Sequence, residues 1–290
     1  MDQASAPTNA EGFVPFNRLR DMLVRRIEEV FKDPATGGPP VRRSGKALFP
    51  PTSVIWRVHG DVTTMMIGGM SALLLQMLHP AALAGIWDHS TFRNDMLGRL
   101  RRTAQFVAMT TYGHASEAAA AIARVRAIHE QVQGVLPSGV PYRANDARLL
   151  AWVHTCETHS FLRAWIAYGE PEMSQADQDT YFRQVGKVAH QLGAAPIPQS
   201  RYEAWKLLQS FRPELTYDGR TRAVSRTVLA QPAPSRLLVP IQLSLTQAAV
   251  DILPEWAKQL HGLNGSGIEA PLLRASALAT ATAVRWAFRR

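Results

Sequence analysis

Residues 91–134 have the sequence TFRNDMLGRLRRTAQFVAMTTYGHASEAAAAIARVRAIHEQVQG. Ser90 is suited to cap a first helix, predicted from Thr91 to Tyr112 and ended by the glycine that follows. A second helix is predicted from about Ser116 to Gln133, again before a glycine. Both segments repeat apolar residues every three or four positions, which is the helical period. This stretch therefore predicts an all-α fold.

The rest of the chain extends the pattern. Asn145 is predicted to cap a long helix that runs to Tyr168, and Ser174 with Asp177 resembles a capping box at the start of a helix that runs to Leu192. Alternating strand patterns are almost absent. Weaker helical patterns follow at residues 201–211, 221–229, 235–252 and 270–288. The sequence predicts about ten helices in one large domain.

The first 52 residues have a different composition. A short amphipathic helix is predicted over roughly Phe16–Phe31, and residues 33–52 are rich in proline and glycine. We therefore predict an N-terminal helix and linker over residues 1–52, followed by the all-α domain over residues 53–290.

The charge balance is strongly basic. The 290 residues carry a formal net charge of +9, and arginine supplies 27 of the 32 basic side chains. Such a charge is typical of nucleic-acid or membrane-surface proteins. The arginines form no continuous run, however, and no nucleic-acid motif is present. No phosphate-binding loop, dinucleotide fingerprint or nucleophile elbow is found either. The sequence predicts no nucleic-acid partner, and it does not indicate the oligomeric state.

One apolar stretch raises the question of a membrane. Residues 62–87 contain no Asp, Glu, Lys or Arg, a length that could span a bilayer. Pro80 divides the stretch into two shorter pieces. A pair of buried core helices is the favoured prediction, and a membrane-surface anchor is the alternative. Because residues 1–16 contain no basic region followed by an apolar run, and because Cys156 is the single cysteine, a cytoplasmic location is predicted.

Two helical faces carry unusual side chains. On the first predicted helix, Arg99, Arg102, Thr103, Phe106 and Thr110 fall within about 100° of arc. An exposed helix face more often carries glutamate and lysine. This face is therefore either a plain basic surface or a binding surface for carboxylates, which match the fork of guanidinium donors.

On the second helix, Ile122, Val125, His129 and Val132 follow one another at steps of three, four and three residues. This spacing predicts a core-facing stripe. A histidine on such a stripe is either a hydrogen-bonded core residue or a ligand. Taken alone, the stripe favours the core residue.

Four sequence blocks occur in order along the chain. They are GGMSALLLQMLHPAALAGIWDHSTF (68–92), GRLRRTAQFVAMTTYG (98–113), VRAIHEQVQG (125–134) and YRANDARLLAWVHTCETHS (142–160). Over about Trp56 to Gly193 they resemble the catalytic domain shared by latex-clearing proteins and the fungal mycophenolic-acid oxygenase. The resemblance implies an all-α domain around a haem b pocket, which cleaves isoprenoid carbon–carbon double bonds with dioxygen.

The resemblance assigns roles residue by residue. The family's Val-Arg-x-x-His element corresponds to Val125 through His129, so His129 is implied as the proximal iron ligand. The family's Arg-x-x-Lys-Thr element corresponds to Arg99, Arg102 and Thr103. The lysine of rubber-cleaving members is therefore Arg102 here. Since arginine stays charged, Arg102 is a poor iron ligand, and it is expected instead to donate hydrogen bonds on the distal side.

Further cofactor contacts follow from the same comparison. Arg99 and Arg126 are implied as partners of the haem propionates, and Phe106 as part of the pocket. His79 corresponds to the family's His-Pro block and either lines the pocket or bonds backbone at a helix end. The glutamate that rubber-cleaving members carry upstream of the distal motif has no clear counterpart here.

Other metal sites have weaker support. Glu157 and His159 share a predicted helix, as in some di-iron proteins, but they fall about 200° apart on the helical wheel. Cys156 lies in no known haem-thiolate motif.

We therefore predict a haem b-dependent oxygenase whose partners are dioxygen and a small apolar molecule, isoprenoid or lipid-like. A haem carrier or sensor without turnover is the alternative.

Overall fold

Helices dominate the chain. The computed structural model describes residues 41–90, 92, 95–233, 235–263, 278, 279 and 282. Within residues 41–263 it contains two short 3-10 turns, Arg212–Glu214 and Arg236–Leu238, and eleven α-helices. The helices are α1 (Val54–His59), α2 (Val62–Gln76), α3 (Pro80–His89), α4 (Met96–Tyr112), α5 (Ala115–Gln131), α6 (Ala147–Tyr168), α7 (Gln175–Leu192), α8 (Arg201–Phe211), α9 (Gly219–Leu229), α10 (Val239–Asp251) and α11 (Glu255–His261). The all-α prediction is confirmed.

A small hairpin is the main departure from that prediction. Strands β1 (Gln133–Val135) and β2 (Pro141–Arg143) pair antiparallel, with Gly134 opposite Tyr142. Gly139 lies in the intervening turn with φ +84°, a conformation that suits glycine. The sequence predicted only a turn here, because three-residue strands are too short to show an alternating pattern.

Helix α2 lies at the centre of the fold. It is apolar around its circumference and most of its residues are buried, as expected for a helix covered on all sides. Helix α6 packs along it at close range: a Cβ added to Gly68 would lie 2.9 Å from the Cα of Phe161. The Trp152 indole of α6 also donates a hydrogen bond to the Gln76 carbonyl (3.3 Å) at the end of α2. These two helices form the scaffold on which the other elements pack.

The predicted break at Pro80 is confirmed. Helices α2 and α3 meet at 104°, and Pro80 occupies the first turn of α3, where the missing N–H is harmless. Among the described helices, none taken singly has the length and apolar composition to cross a membrane. The bent pair of α2 and α3 would qualify only when both are counted together, by length and composition alone.

The end of the predicted linker packs onto the helices. The Ser44 N–H donates to the Tyr112 carbonyl (2.8 Å), and the Lys46 carbonyl accepts from the Ala115 N–H (2.8 Å). Phe49 is buried among residues of α1, α6 and α7. Residues 44–49 therefore hold the junction between α4 and α5, whereas the proposed domain boundary at residue 52 stays a prediction.

Several helix ends differ from their predictions. Helix α4 begins at Met96 rather than Thr91, and its cap is Asp95, which accepts from the Gly98 N–H (2.8 Å). Ser90 instead lies at the carboxyl end of α3. Asp146, rather than Asn145, caps α6. In each case another polar residue near the predicted cap meets the free N–H groups.

Other boundaries agree. Ser174 caps α7, and Gly193 ends it with φ +93°. Helices α1 and α11 were not predicted, because six or seven residues carry too little periodicity. The helices predicted over residues 16–31 and 270–288 lie largely or entirely outside the described residues.

Candidate functional site

Two helix ends position His129. The His114 side chain caps α5 in a reciprocal capping box with Glu117. The helix ends at Gln131, because Val132 is extended and leads directly into β1. His129 thus occupies the last turn of α5, next to the hairpin. Its predicted stripe is partly confirmed: Ile122 is buried, whereas Val125, His129 and Val132 are half-buried.

The His129 imidazole has an unused nitrogen. Nδ1 is buried and accepts or donates no hydrogen bond within the described part of the chain. Burial lowers the pKa of His129, and the positive charge of Arg99 lowers it further. The ring is therefore neutral at physiological pH. A neutral imidazole without a protein partner has the form that metals bind.

Arg99 also has an unused polar atom, in this case on a charged side chain. Its Nε is buried and has no hydrogen-bond partner among the residues described. Burial lowers its pKa to about 10, as does repulsion from Arg102, while Glu157 opposes the shift. The guanidinium remains charged at neutral pH. A buried cation with an unused donor is stabilised by an anion with oxygen acceptors.

The remaining residues of the predicted arginine face lie farther out. Arg102 is exposed and its Nη1 lies 3.5 Å from Asp95 Oδ2, a surface ion pair. Thr103 is also exposed and donates to the Arg99 carbonyl (3.2 Å). Phe106 is half-buried. The face thus grades from the half-buried Arg99, whose Nε is buried, to the exposed Arg102 and Thr103.

Arg126 and His79 have partners elsewhere. The exposed Arg126 donates to the Gln191 carbonyl (3.4 Å) of α7. His79 caps α3, accepting from the Ala81 N–H (3.2 Å), and its ring lies against Trp152. This backbone contact corresponds to the second of the two roles predicted for His79, a hydrogen bond to backbone at a helix end. The roles of both residues toward a cofactor stay predictions.

A half-buried carboxyl group of α6, Glu157, was considered only for a di-iron site and was not predicted to lie near Arg99. Glu157 of α6 accepts a hydrogen bond from Gln76 Nε2 (3.3 Å) through Oε1. Burial raises its pKa to about 7, an effect that the Gln76 hydrogen bond and the charge of Arg99 reduce. Glu157 occupies a stripe of α6 with Val153 and Phe161, where an acid is unusual. That lone acid was the signal available in the sequence.

Glu157 and His159 do not converge on one point. The His159 ring lies against Trp205, with ring centroids 6.2 Å apart, whereas Glu157 contacts Gln76. Across the described residues, no group of three or more His, Cys, Asp and Glu side chains is arranged to hold a metal ion.

The residues present fit a haem. The unused nitrogen of neutral His129 suits an axial iron ligand, and the unused Nε of Arg99 suits a propionate carboxylate. Both belong to helices α4 and α5, which pack against each other. A haem would account for two of the eight buried side-chain polar atoms that have no hydrogen-bond partner among the described residues.

Comparison with known proteins identifies a family for the chain. Residues 56–286 match the family model for the ER-bound oxygenase mpaB/B'/rubber oxygenase catalytic domain. The similarity therefore continues well beyond Gly193, where the sequence blocks had suggested that it fades. No curated protein and no solved structure matches the chain. The family consists of oxygenases, which indicates an oxidoreductase. Because the match covers more than half of its residues, the chain belongs to the mpaB/B' and rubber oxygenase catalytic-domain family.

Proposed function

We propose that this chain is a haem b-dependent oxygenase that acts on a small apolar molecule, isoprenoid or lipid-like, with dioxygen as the second substrate. The observation that carries the proposal is the half-buried His129 imidazole, neutral and without a hydrogen bond at its buried Nδ1, together with the buried Nε of Arg99, which has no hydrogen-bond partner among the described residues. Membership of an oxygenase family supports the same conclusion.

The roles of the chain's own residues follow from their surroundings. His129 would hold the iron, and the haem would supply the centre at which dioxygen is activated. Arg99 would bind a propionate and so fix the orientation of the macrocycle. Arg102 and Thr103 would face the oxidant, and the Arg102 guanidinium would donate hydrogen bonds to one of its oxygen atoms. Their exposure leaves both donors free to reorient toward a ligand.

A spectrum of the purified protein tests this proposal. Protein expressed with adequate iron should show a Soret band and a pyridine haemochrome of the b type. Dioxygen consumption with a polyprenyl or fatty substrate should then separate an oxygenase from a haem carrier or sensor. Protein that contains no haem and takes up none from added hemin would overturn the proposal.

The substitution of arginine for the family's lysine has a spectroscopic consequence. Arg102 cannot become a neutral amine ligand, so the ferric protein should be five-coordinate or water-bound and should bind cyanide without a slow displacement step. Arg102→Ala removes a charged donor and should weaken cyanide binding by about tenfold, with haem content unchanged. The measurements are absorption spectra and cyanide titrations.

Arg124→Ala is the matched control, since Arg124 is an exposed arginine on α5. It should leave the cyanide affinity unchanged. A native ferric protein that is already low-spin with a nitrogenous sixth ligand would contradict this prediction. His79, His89 and His114 would then be tested as that ligand.

A further inference from the structure

A cavity lies where the end of α8 and the 3-10 turn that follows it meet α11. Its volume is about 550 Å³, which is within the range of pockets that hold small organic molecules. Gln209 of α8, Arg212 of the turn and Trp256 of α11 line it. These elements differ from α4 and α5, which carry Arg99 and His129. The cavity is therefore built from other parts of the fold than the candidate haem site.

Two buried N–H groups at this cavity have no acceptor. Trp256 is only 8% exposed, and its Nε1 has no hydrogen-bond partner among the residues that the structure describes; the same is true of the buried Nε2 of Gln209. Arg212 sets the orientation of the Gln209 amide, because its Nη1 donates to Gln209 Oε1 (3.3 Å). A guanidinium has no acceptor, so the amide oxygen faces it and the amide N–H groups point elsewhere. Since a buried donor without a partner is unfavourable, both side chains favour a bound acceptor.

The charge at the cavity is positive. Arg212 forms no ion pair within 4 Å with a carboxylate of the described chain. No Asp or Glu is among the described residues that line the cavity, and the exposed Gln259 adds another amide. The Arg212 guanidinium lies over the Trp256 ring, with Cζ 5.7 Å from the ring centroid, and its side chain is exposed. A guanidinium and several neutral donors together match a carboxylate, whose oxygens only accept.

The rest of the cavity wall is largely apolar. Leu215 is buried there, whereas Leu260, in the last turn of α11, is 38% exposed. An exposed leucine beside a cavity offers apolar surface that a hydrocarbon chain would cover, and such burial is favourable. The wall therefore combines donors for a charged head with leucines for an apolar chain.

We propose that this cavity binds a monocarboxylate with an apolar chain. Its carboxylate accepts hydrogen bonds from Arg212, Gln209 and Trp256, and its chain packs against Leu215 and Leu260. The two N–H groups that lack partners thereby gain them. The ligand is bound without a covalent step, and its binding does not depend on haem.

Isothermal titration calorimetry with sodium octanoate tests the site on the full-length protein. Octanoate should bind at one site. Acetate lacks the apolar chain and octanol lacks the charge, so each should bind at least about tenfold more weakly than octanoate. Equal affinity for octanol and octanoate would overturn the assignment of a carboxylate site, and equal affinity for acetate would overturn the role of the apolar wall.

Two substitutions locate the binding at this cavity. Arg212→Gln removes the charge at an exposed position and should weaken octanoate binding by about tenfold or more. Gln209→Glu places a carboxylate beside Arg212, which pairs with the guanidinium and repels the ligand, so affinity should fall at least as far while the melting temperature is kept. Arg226→Gln, at an exposed arginine of α9, is the matched control and should leave the affinity unchanged.

The outcomes are independent of the proposed oxygenase function. Octanoate binding that survives both Arg212→Gln and Gln209→Glu would overturn the proposal, because the ligand would then lie elsewhere, as at a site for an apolar substrate. An absence of octanoate binding to the wild-type protein would overturn it as well. The titrations are made without added haem, so a protein that binds no haem fails the oxygenase proposal and leaves this test intact.

Discussion

Replacing His129 with alanine should lower the haem content to less than about a tenth of the wild-type value, because the iron loses its protein ligand. The helical content should not change. In the absence of haem, the melting temperature should stay within a few degrees of wild type, since His129 Nδ1 makes no hydrogen bond in the described structure. Pyridine haemochrome assays and circular dichroism provide the two measurements.

His190→Ala is the control for this experiment. His190 is an exposed histidine in the last turn of α7, and its replacement should leave the haem content unchanged. Full haem retention and an unaltered spectrum in His129→Ala would show that another residue binds the iron. A large loss of stability in the haem-free variant would instead identify His129 as a core residue, the alternative that its apolar stripe suggested.

Much of the fold was predictable because it depends on local signals. Pro80 broke the apolar stretch, Ser174 capped α7, and Gly193 ended it in a left-handed conformation, as capping chemistry requires. The helix start at Met96 was not predictable from local signals alone. Ser90 and Asp95 are both good capping residues, and the choice between them depends on tertiary packing.

The site was predictable only where residues share one helix. The spacing of Arg99, Arg102 and Thr103 follows from helical geometry, and the family resemblance singled out His129. The position of Glu157 near Arg99 was not predicted because it depends on the approach of another helix, which no local pattern encodes. No sequence pattern indicated that Arg126 would donate a hydrogen bond to the Gln191 carbonyl of α7.

Gly68→Ala should destabilise the protein strongly. An added Cβ would lie 2.7 Å from Cδ1 of Phe161 and 2.9 Å from its Cα, so the α6 backbone itself would have to move. Such overpacking costs about 1–3 kcal/mol, and the intrinsic helix preference of alanine offsets at most about 1 kcal/mol of it. Urea denaturation measures the loss.

Gly69→Ala provides a control one residue away on the same helix. The nearest atom to its added Cβ is Cε1 of Phe161 at 3.8 Å, an ordinary contact distance. The substitution should therefore raise the free energy of unfolding by about 0.5–1 kcal/mol, the gain expected for alanine over glycine in a helix. Opposite signs for the two neighbours would locate the close contact of α2 and α6 at Gly68. Equal effects would mean that the helices are farther apart there.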